Sequence, residues 1–173
     1  ERIRKAYDCA DEEALSYGPK TETPMLLAVG RLVARKGYMS LLRAMPLILK
    51  EHANTRLVII GRGHMKKSLL KTAEELGVSH AVFIKSSMSF EDIAQHYRSA
   101  DLVVYPSYYE GQGLIPLEAL ASGTPVVTVD QPPLTEMVDD TVGGLFDRGD
   151  HAGMAKAVCD ELNGSVKRIK KAK

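Results

Sequence analysis

Three cations lie in one short segment of the sequence. Arg31, Arg35 and Lys36 stand between Gly30 and Gly37, directly after an apolar run. A guanidinium binds two phosphate oxygens at once, a lysine adds a compact positive charge, and glycines let a ligand approach the backbone closely. A helix predicted to begin here adds the free N–H groups of its first turn. The segment predicts a phosphate site, and the alternative is an ordinary exposed basic loop.

Two glutamates, Glu110 and Glu118, flank a glycine-rich turn further along the chain. The backbone N–H groups of Gly113, Leu114 and Ile115 are predicted to face outward and form a cradle for an anion or a hydroxyl group. Glu118, one turn into the next predicted helix, is placed to accept hydrogen bonds from a sugar diol, as acidic residues do for ribose in dinucleotide sites. The alternatives are a solvated loop acid for Glu110 and a helix-dipole partner for Glu118.

Short apolar segments alternate with longer segments of helical spacing from residue 25 onward. Strands are predicted at 25–29, 56–60, 81–84, 102–105, 125–129 and 144–146. Helices are predicted at 38–52, 65–76, 90–100, 115–121 and 153–162. This alternation is typical of parallel βαβ units, and strands that are apolar throughout indicate helices on both faces of the sheet. The sequence therefore predicts an α/β fold, a Rossmann-like doubly wound parallel sheet of about six strands.

Ligands of such sheets bind beyond the carboxyl ends of the strands, where both patterns are predicted to lie. A third loop, 85–89, reaches the same edge. Ser89 is predicted to cap the helix that follows it, Gly77 and Gly123 are predicted to end helices, and Pro46 is predicted to kink one.

The length of 173 residues suits one domain and leaves no room for a second substrate domain. We expect an interdomain linker remnant at 1–24, a folded domain at 25–163 and a basic C-terminal tail at 164–173. No stretch approaches the roughly 20 apolar residues that cross a bilayer, so a soluble protein is expected. The net charge of +1 argues against a nucleic-acid partner. The tail is interpreted as a solvated helix end, and contact with anionic lipid headgroups is the alternative.

The two cysteines and five histidines do not form a metal-binding pattern in the sequence. Cys9 and Cys159 lie near opposite ends of the chain, and the histidines are scattered singly. We expect both cysteines to be free thiols in a reducing compartment, with no structural metal. The sequence also offers no paired aspartates that resemble a divalent cation site.

Four motifs in a fixed order carry a family resemblance. They are Val29-Gly30-Arg31-Leu32 with Lys36-Gly37, Ala100-Asp101-Leu102 leading to Pro106-Ser107, Glu110-Gly111-x-Gly113-Leu114-x-x-x-Glu118-Ala119, and Ala121-Ser122-Gly123-Thr124-Pro125-Val126-Val127. Together they resemble the C-terminal, nucleotide-sugar-binding domain of retaining glycosyltransferases of the GT-B fold, family 4 (group 1), over nearly all of 25–162. A looser match links residues 7–11 to the interdomain connector of that family.

The resemblance implies a role for each matching residue. Arg31 and Lys36 would hold the donor diphosphate and neutralise its charge as it leaves. Glu110 would lie near the donor sugar and Glu118 on the ribose, while the segment 84–88 would touch the nucleobase. The implied catalytic residues are Arg31, Lys36 and Glu110, and the implied donor-binding residues are Gly30, Arg35, Ile84, Lys85, Met88, Gly111, Gln112, Gly113, Leu114, Ile115 and Glu118.

The implied activity is metal-independent transfer of a sugar from a UDP- or GDP-linked donor to a glycan or lipid acceptor. Fixed cations at the β-phosphate stabilise the charge that grows there in the transition state, which is the role of a divalent metal in other transferases. No cofactor and no metal are therefore expected. The acceptor would bind through an N-terminal domain missing from this chain, so the fragment alone is expected to be inactive. The parent enzyme is expected to be cytoplasmic, with peripheral contact at the inner face of the membrane as an alternative.

Several positions depart from the family pattern. Gln112 stands where phenylalanine is usual and Lys85 where glycine is common, so the sugar and base pockets are expected to be altered. A non-catalytic nucleotide-sugar-binding or regulatory module, or a sugar-nucleotide epimerase of the same fold, is therefore the alternative. A Rossmann dehydrogenase is disfavoured because no G-x-G-x-x-G follows the first strand. Segment 131–136 lacks the glycines of the family's proline-glutamate turn and is predicted to be a rigid turn before a short helix.

Overall fold

The computed structural model describes residues 23–86 and 88–171, with side chains described up to residue 164. The predicted linker up to residue 22 therefore lies outside the described residues. The same is true of Cys9, the connector match at 7–11, and Ser87 in the third loop. The predicted domain boundaries stay predictions.

Six strands form one sheet in the order β3-β2-β1-β4-β5-β6. They are β1 (Met25–Val29), β2 (Arg56–Ile60), β3 (Val82–Lys85), β4 (Leu102–Tyr105), β5 (Val126–Val129) and β6 (Gly143–Phe146). Every neighbouring pair is parallel, and the strand order reverses between β1 and β4. That reversal is the switch point of a doubly wound sheet. The predicted fold class is confirmed, and four of the predicted strand boundaries, in three of the strands, differ by a single residue.

Five α-helices cover the two faces of this sheet within the described part of the chain. They are α1 (Tyr38–Glu51), α2 (Lys66–Glu75), α3 (Phe90–Ser99), α4 (Leu114–Ala121) and α5 (His151–Lys171). Helix α1 packs against both α2 and α5, whereas α3 packs against α4 and β1. Because both sides are covered, successive strand residues such as Leu26 and Leu27 are both fully buried.

The predicted helix signals occur where the sequence places them. The Ser89 hydroxyl accepts a hydrogen bond from the Asp92 backbone N–H at 3.1 Å, as expected of an N-cap. Gly77 and Gly123 follow α2 and α4 with φ angles of 69° and 74°, the left-handed conformation of a helix end. Pro46 lies inside helix α1, and the kink expected there stays a prediction.

Helix α5 is longer than the predicted segment at 153–162. Its start is earlier because the Asp150 carboxylate accepts the backbone N–H groups of Ala152 and Gly153, at 3.0 and 2.9 Å. Its end is later, since the helix continues through Gly164 to Lys171. The first eight residues of the predicted tail, 164–171, therefore extend this helix.

The described part of the chain contains no helix that combines the length and the apolar character needed to cross a membrane.

Candidate functional site

The loops after β1 and β4 meet at the carboxyl edge of the sheet because these two strands are neighbours at the switch point. Between them lies a cleft of about 360 Å³. It is lined by Gly30, Arg31, Arg35, Lys36, Tyr105, Glu110, Gly111, Gln112, Gly113, Leu114 and Ile115. The structure thus brings the predicted basic loop and the predicted glycine-rich turn together on one surface.

The basic loop, residues 30–37, is hydrogen-bonded to the loop after β2. Leu32 is fully buried, its backbone N–H donates to the Arg62 carbonyl at 2.8 Å, and its own carbonyl accepts from Met65 at 3.2 Å. A short 3₁₀ helix, Ala34–Lys36, then ends at Gly37, which has a φ of 70°. With Leu32 as an anchor on one side and Gly37 on the other, the loop exposes Arg31 and Arg35 and turns Lys36 inward.

Lys36 and Glu110 form the charged centre of the cleft. The Lys36 ammonium, on a residue only 8% exposed, contacts the Glu110 carboxylate. It also donates to the Tyr105 hydroxyl at 2.7 Å. The Ser107 hydroxyl donates to the same Glu110 oxygen at 2.8 Å. Arg35 lies further out, 3.9 Å from that oxygen, and donates to the Tyr109 carbonyl at 3.0 Å.

These contacts set the protonation of Glu110. Its desolvation by burial raises the pKa of the carboxyl group, but hydrogen bonds from Lys36, Tyr105 and Ser107, together with the Lys36 charge, outweigh that effect. The net result is a pKa below the ordinary value. Burial, reinforced by the hydrogen bond to Glu110, raises the pKa of Tyr105 far above its usual range, so this hydroxyl stays protonated at neutral pH.

We expect acid to destabilise the protein through Glu110. Because the folded-state pKa is depressed, this carboxylate stabilises the fold above its unfolded-state value of about 4.5. That stabilisation is lost as the pH falls through the folded-state pKa. In Glu110→Gln, urea unfolding midpoints should decline less than in the wild type between about pH 6 and pH 3. The matched control Glu74→Gln, an exposed carboxyl on α2, should follow the wild type. Equal declines for Glu110→Gln and wild type would contradict the assigned network.

A buried hydroxyl lies beside the basic loop. Tyr38, the first residue of α1, is 2% exposed, and a Cβ added to Gly30 would lie 2.9 Å from its oxygen. Among the residues that the structure describes, this hydroxyl has no hydrogen-bond partner. Burial, followed by the nearby charge of Glu110, raises the pKa of Tyr38 well above its usual range. This protonated hydroxyl therefore lies buried beside Gly30 and is not among the groups that line the cleft.

Four of the predicted donor-binding residues do not line this cleft. Glu118 is 1% exposed, and its Oε2 accepts a hydrogen bond from the Tyr97 hydroxyl at 2.9 Å. Lys85 is exposed at the end of β3, with its ammonium 3.2 Å from the His96 Nε2 atom. Ile84 and Met88 pack partly buried against the core. Their roles in binding a ribose and a base stay predictions.

Sequence reasoning missed three aromatic residues at the site. Tyr105 is the last residue of β4, and a polar group at the carboxyl end of a buried strand was the signal that could have identified it. Tyr109 is 62% exposed, and the Arg148 guanidinium lies 4.7 Å from its ring centre. Tyr108 hydrogen-bonds with Ser40 at 2.7 Å. Arg148 follows β6, so only the folded sheet edge brings it to Tyr109.

The segment 131–136 supports the second loop. Its short helix is a 3₁₀ turn, Leu134–Glu136, as the prediction of a rigid turn before a short helix anticipates. The Gln131 side chain donates to the Ser107 carbonyl at 3.1 Å. The turn therefore contacts the backbone of the residue that hydrogen-bonds to Glu110.

Comparison with known proteins identifies relatives of the whole domain. Residues 10–172 match the family model described as glycosyl transferases group 1. An uncharacterized glycosyltransferase of Methanocaldococcus jannaschii is 42% identical over 131 residues, which cover 76% of this chain and 33% of that protein.

Two solved structures have the same architecture. A TarM variant of S. aureus, solved with fondaparinux, α-GlcNAc-glycerol and UDP, superposes with a TM-score of 0.77 at 27% identity, covering 88% of this chain and 31% of that one. The C-terminal domain of a group 1 glycosyl transferase (LpcC) from Francisella tularensis has a TM-score of 0.74 at 24% identity, with 92% of each chain covered. The second likeness is one of fold. The chain spans about a third of the length of the curated relatives it matches.

Proposed function

The chain belongs to the group 1 glycosyl transferases, and from that membership we propose that it is the donor-binding half of a retaining enzyme whose transfer step needs no metal. Its ligand is a nucleoside diphosphate sugar, held with the diphosphate against the basic loop and the sugar against the turn after β4. Arg31, Lys36 and Glu110 are the residues that act at the reacting bond.

The convergence of donors at the switch point carries this proposal. Two exposed guanidinium groups, of Arg31 and Arg35, and the buried Lys36 ammonium line one cleft with the backbone at the start of α4. A diphosphate supplies acceptors to all of these groups, and its negative charge grows when the bond to the sugar breaks. Cations already fixed there stabilise the transition state without a metal ion.

Donor identity is proposed only as a class. UDP is the first choice because TarM, a structural relative, was solved with UDP, and a GDP-linked sugar such as GDP-mannose is the second. Of the two positions that depart from the family pattern, Gln112 lines the cleft and Lys85 does not. Gln112 is therefore the position from which we expect sugar preference to be set.

The acceptor is proposed to be a glycan or a lipid bound by a further domain. The cleft is open on one side, with Leu114 48% exposed and Tyr109 62% exposed at its rim. A second lobe closing over these residues would complete the site, so the chain alone should bind donor and transfer nothing. We propose a cytoplasmic parent enzyme in which the basic segment 167–173 is a solvated helix end, with contact at the membrane face as the alternative.

Titration of the chain with UDP, GDP and their sugars in EDTA tests the proposal. Calorimetry should detect a nucleoside diphosphate binding without metal. Arg31→Ala should weaken it by about 10- to 100-fold, the value of hydrogen bonds to a charged group. Arg43→Ala, which removes an exposed arginine on α1 outside the cleft lining, is the matched control and should bind as the wild type does. Absence of binding by every nucleotide, or an unchanged affinity in Arg31→Ala, would refute the proposal.

A further inference from the structure

Three metal-ligating side chains meet at the end of α1 opposite the cleft. Glu51 is the last residue of α1, His52 follows it, and Cys159 lies on α5, which packs along α1. The carboxylate oxygen, imidazole nitrogen and thiol sulfur all lie within 4.8 Å of one another. Because α1 begins beside the cleft at Tyr38, its 14 residues put this cluster about 20 Å from the donor site.

The cluster has the shielding from solvent and the outer hydrogen bond that are typical of metal ligands. The His52 Nε2 atom is shielded from solvent and has no hydrogen-bond partner among the described residues. The Asn163 amide donates to Glu51 Oε1 at 2.8 Å, which orients the carboxylate from outside. Cys159 is a buried free cysteine, and the Glu51 side chain is 54% exposed. The cluster therefore has two largely enclosed donors, the imidazole and the thiol, and a carboxylate that reaches solvent.

We propose that Glu51, His52 and Cys159 bind a divalent cation of borderline softness, of which Zn²⁺ is the representative. One carboxylate, one imidazole and one thiolate are ligands that Zn²⁺ accepts, and three protein ligands leave a fourth position for water. The bound cation ties the end of α1 to α5. This cation site does not conflict with the proposed metal-independent transfer, because that proposal concerns only the donor diphosphate in the cleft.

Binding exchanges a proton for the cation at sulfur. Burial, with the nearby Glu51 carboxylate, raises the pKa of Cys159 to about 12, so the cation-free protein carries a thiol. As the sulfur–metal bond forms, the sulfur–hydrogen bond breaks and the proton leaves to solvent.

Cobalt substitution of the chain tests the site, since tetrahedral Co²⁺ bound to a thiolate has a near-ultraviolet charge-transfer band that aqueous Co²⁺ lacks. Titration of the reduced protein with Co²⁺ should produce that band at one equivalent, and added Zn²⁺ should abolish it. Cys159→Ser should remove the band. Cys9→Ser, which removes the other thiol, is the matched control and should retain it.

Because Cys159→Ser could lose the band by misfolding, Zn²⁺ affinity is also measured in variants that retain the Cys159 thiol. Asn163→Ala, which removes the outer contact to Glu51, should lower Zn²⁺ affinity about tenfold. His52→Gln and Glu51→Gln should each lower Zn²⁺ affinity by more than that. His80→Gln, at an exposed histidine elsewhere, should change nothing. Absence of the band in the wild type, its survival in Cys159→Ser, or unchanged Zn²⁺ affinity in His52→Gln would each overturn the proposal.

Discussion

Under the proposed function, we expect Lys36→Met to lower the rate of sugar transfer by about 10²- to 10³-fold at saturating donor, the loss typical of removing one preorganised transition-state donor. The reason is the position of the ammonium group, inside the cleft on a residue 8% exposed. Water screens it little there, so its attraction to the charge growing on the leaving diphosphate is strong. Because that charge is smaller in the bound donor, we expect kcat to fall more than donor affinity. Steady-state kinetics with varied donor measures both.

The Lys36–Glu110 contact requires a control for this experiment. Lys36→Met leaves the Glu110 carboxylate without its cation, which destabilises the site whatever the role of Lys36 in transfer. The double variant Lys36→Met/Glu110→Gln removes that unpaired charge, so it should recover stability and yet transfer less sugar than Glu110→Gln alone. Lys50→Met, at an exposed position in the last turn of α1, controls for the loss of a positive charge. If the double variant transfers sugar as fast as Glu110→Gln does, Lys36 serves only to hold Glu110.

The sheet could be predicted from the sequence because its strands are covered on both faces. All four residues of β4 are buried, so this strand needs a continuous apolar run in the sequence. Glycines and prolines in the adjoining loops indicate where such strands end. The end of α5 could not be predicted in this way. Gly164 is an unfavourable residue inside a helix, but just before it Leu162 is buried and the Asn163 side chain donates a hydrogen bond to Glu51 of α1.

Only those parts of the site whose residues are adjacent in the sequence could be predicted from it. The basic loop and the glycine-rich turn were visible as motifs, and strand order then places them side by side. The contacts that join them were not visible, because Tyr105 gains its role from being opposite Lys36, a residue on another strand's loop. The cluster of His52 and Cys159 has the same origin, since nothing in the local sequence of either residue indicates the other.

Gly37→Ala destabilises the protein by about 2–5 kcal/mol, the sum of a left-handed backbone penalty of about 1–2 kcal/mol and an overpacking cost of about 1–3 kcal/mol. Both terms are visible in the structure. Gly37 has a φ of 70°, and a Cβ added there would lie 2.0 Å from the Pro106 carbonyl oxygen. Since Pro106 begins the loop after β4, relief of the clash must separate the two loops of the cleft. Donor affinity should therefore fall together with the free energy of unfolding.

Gly77→Ala isolates the backbone term of this prediction. Gly77 has a φ of 69°, nearly that of Gly37, but nothing lies within 4 Å of a Cβ added to it. This variant should lose only about 1–2 kcal/mol and should bind donor as the wild type does. Urea denaturation of both variants gives the difference, which is the cost of forcing the basic loop away from Pro106. Equal losses of stability would show that the two loops are not held in contact at Gly37, and the cleft they form would then need another support.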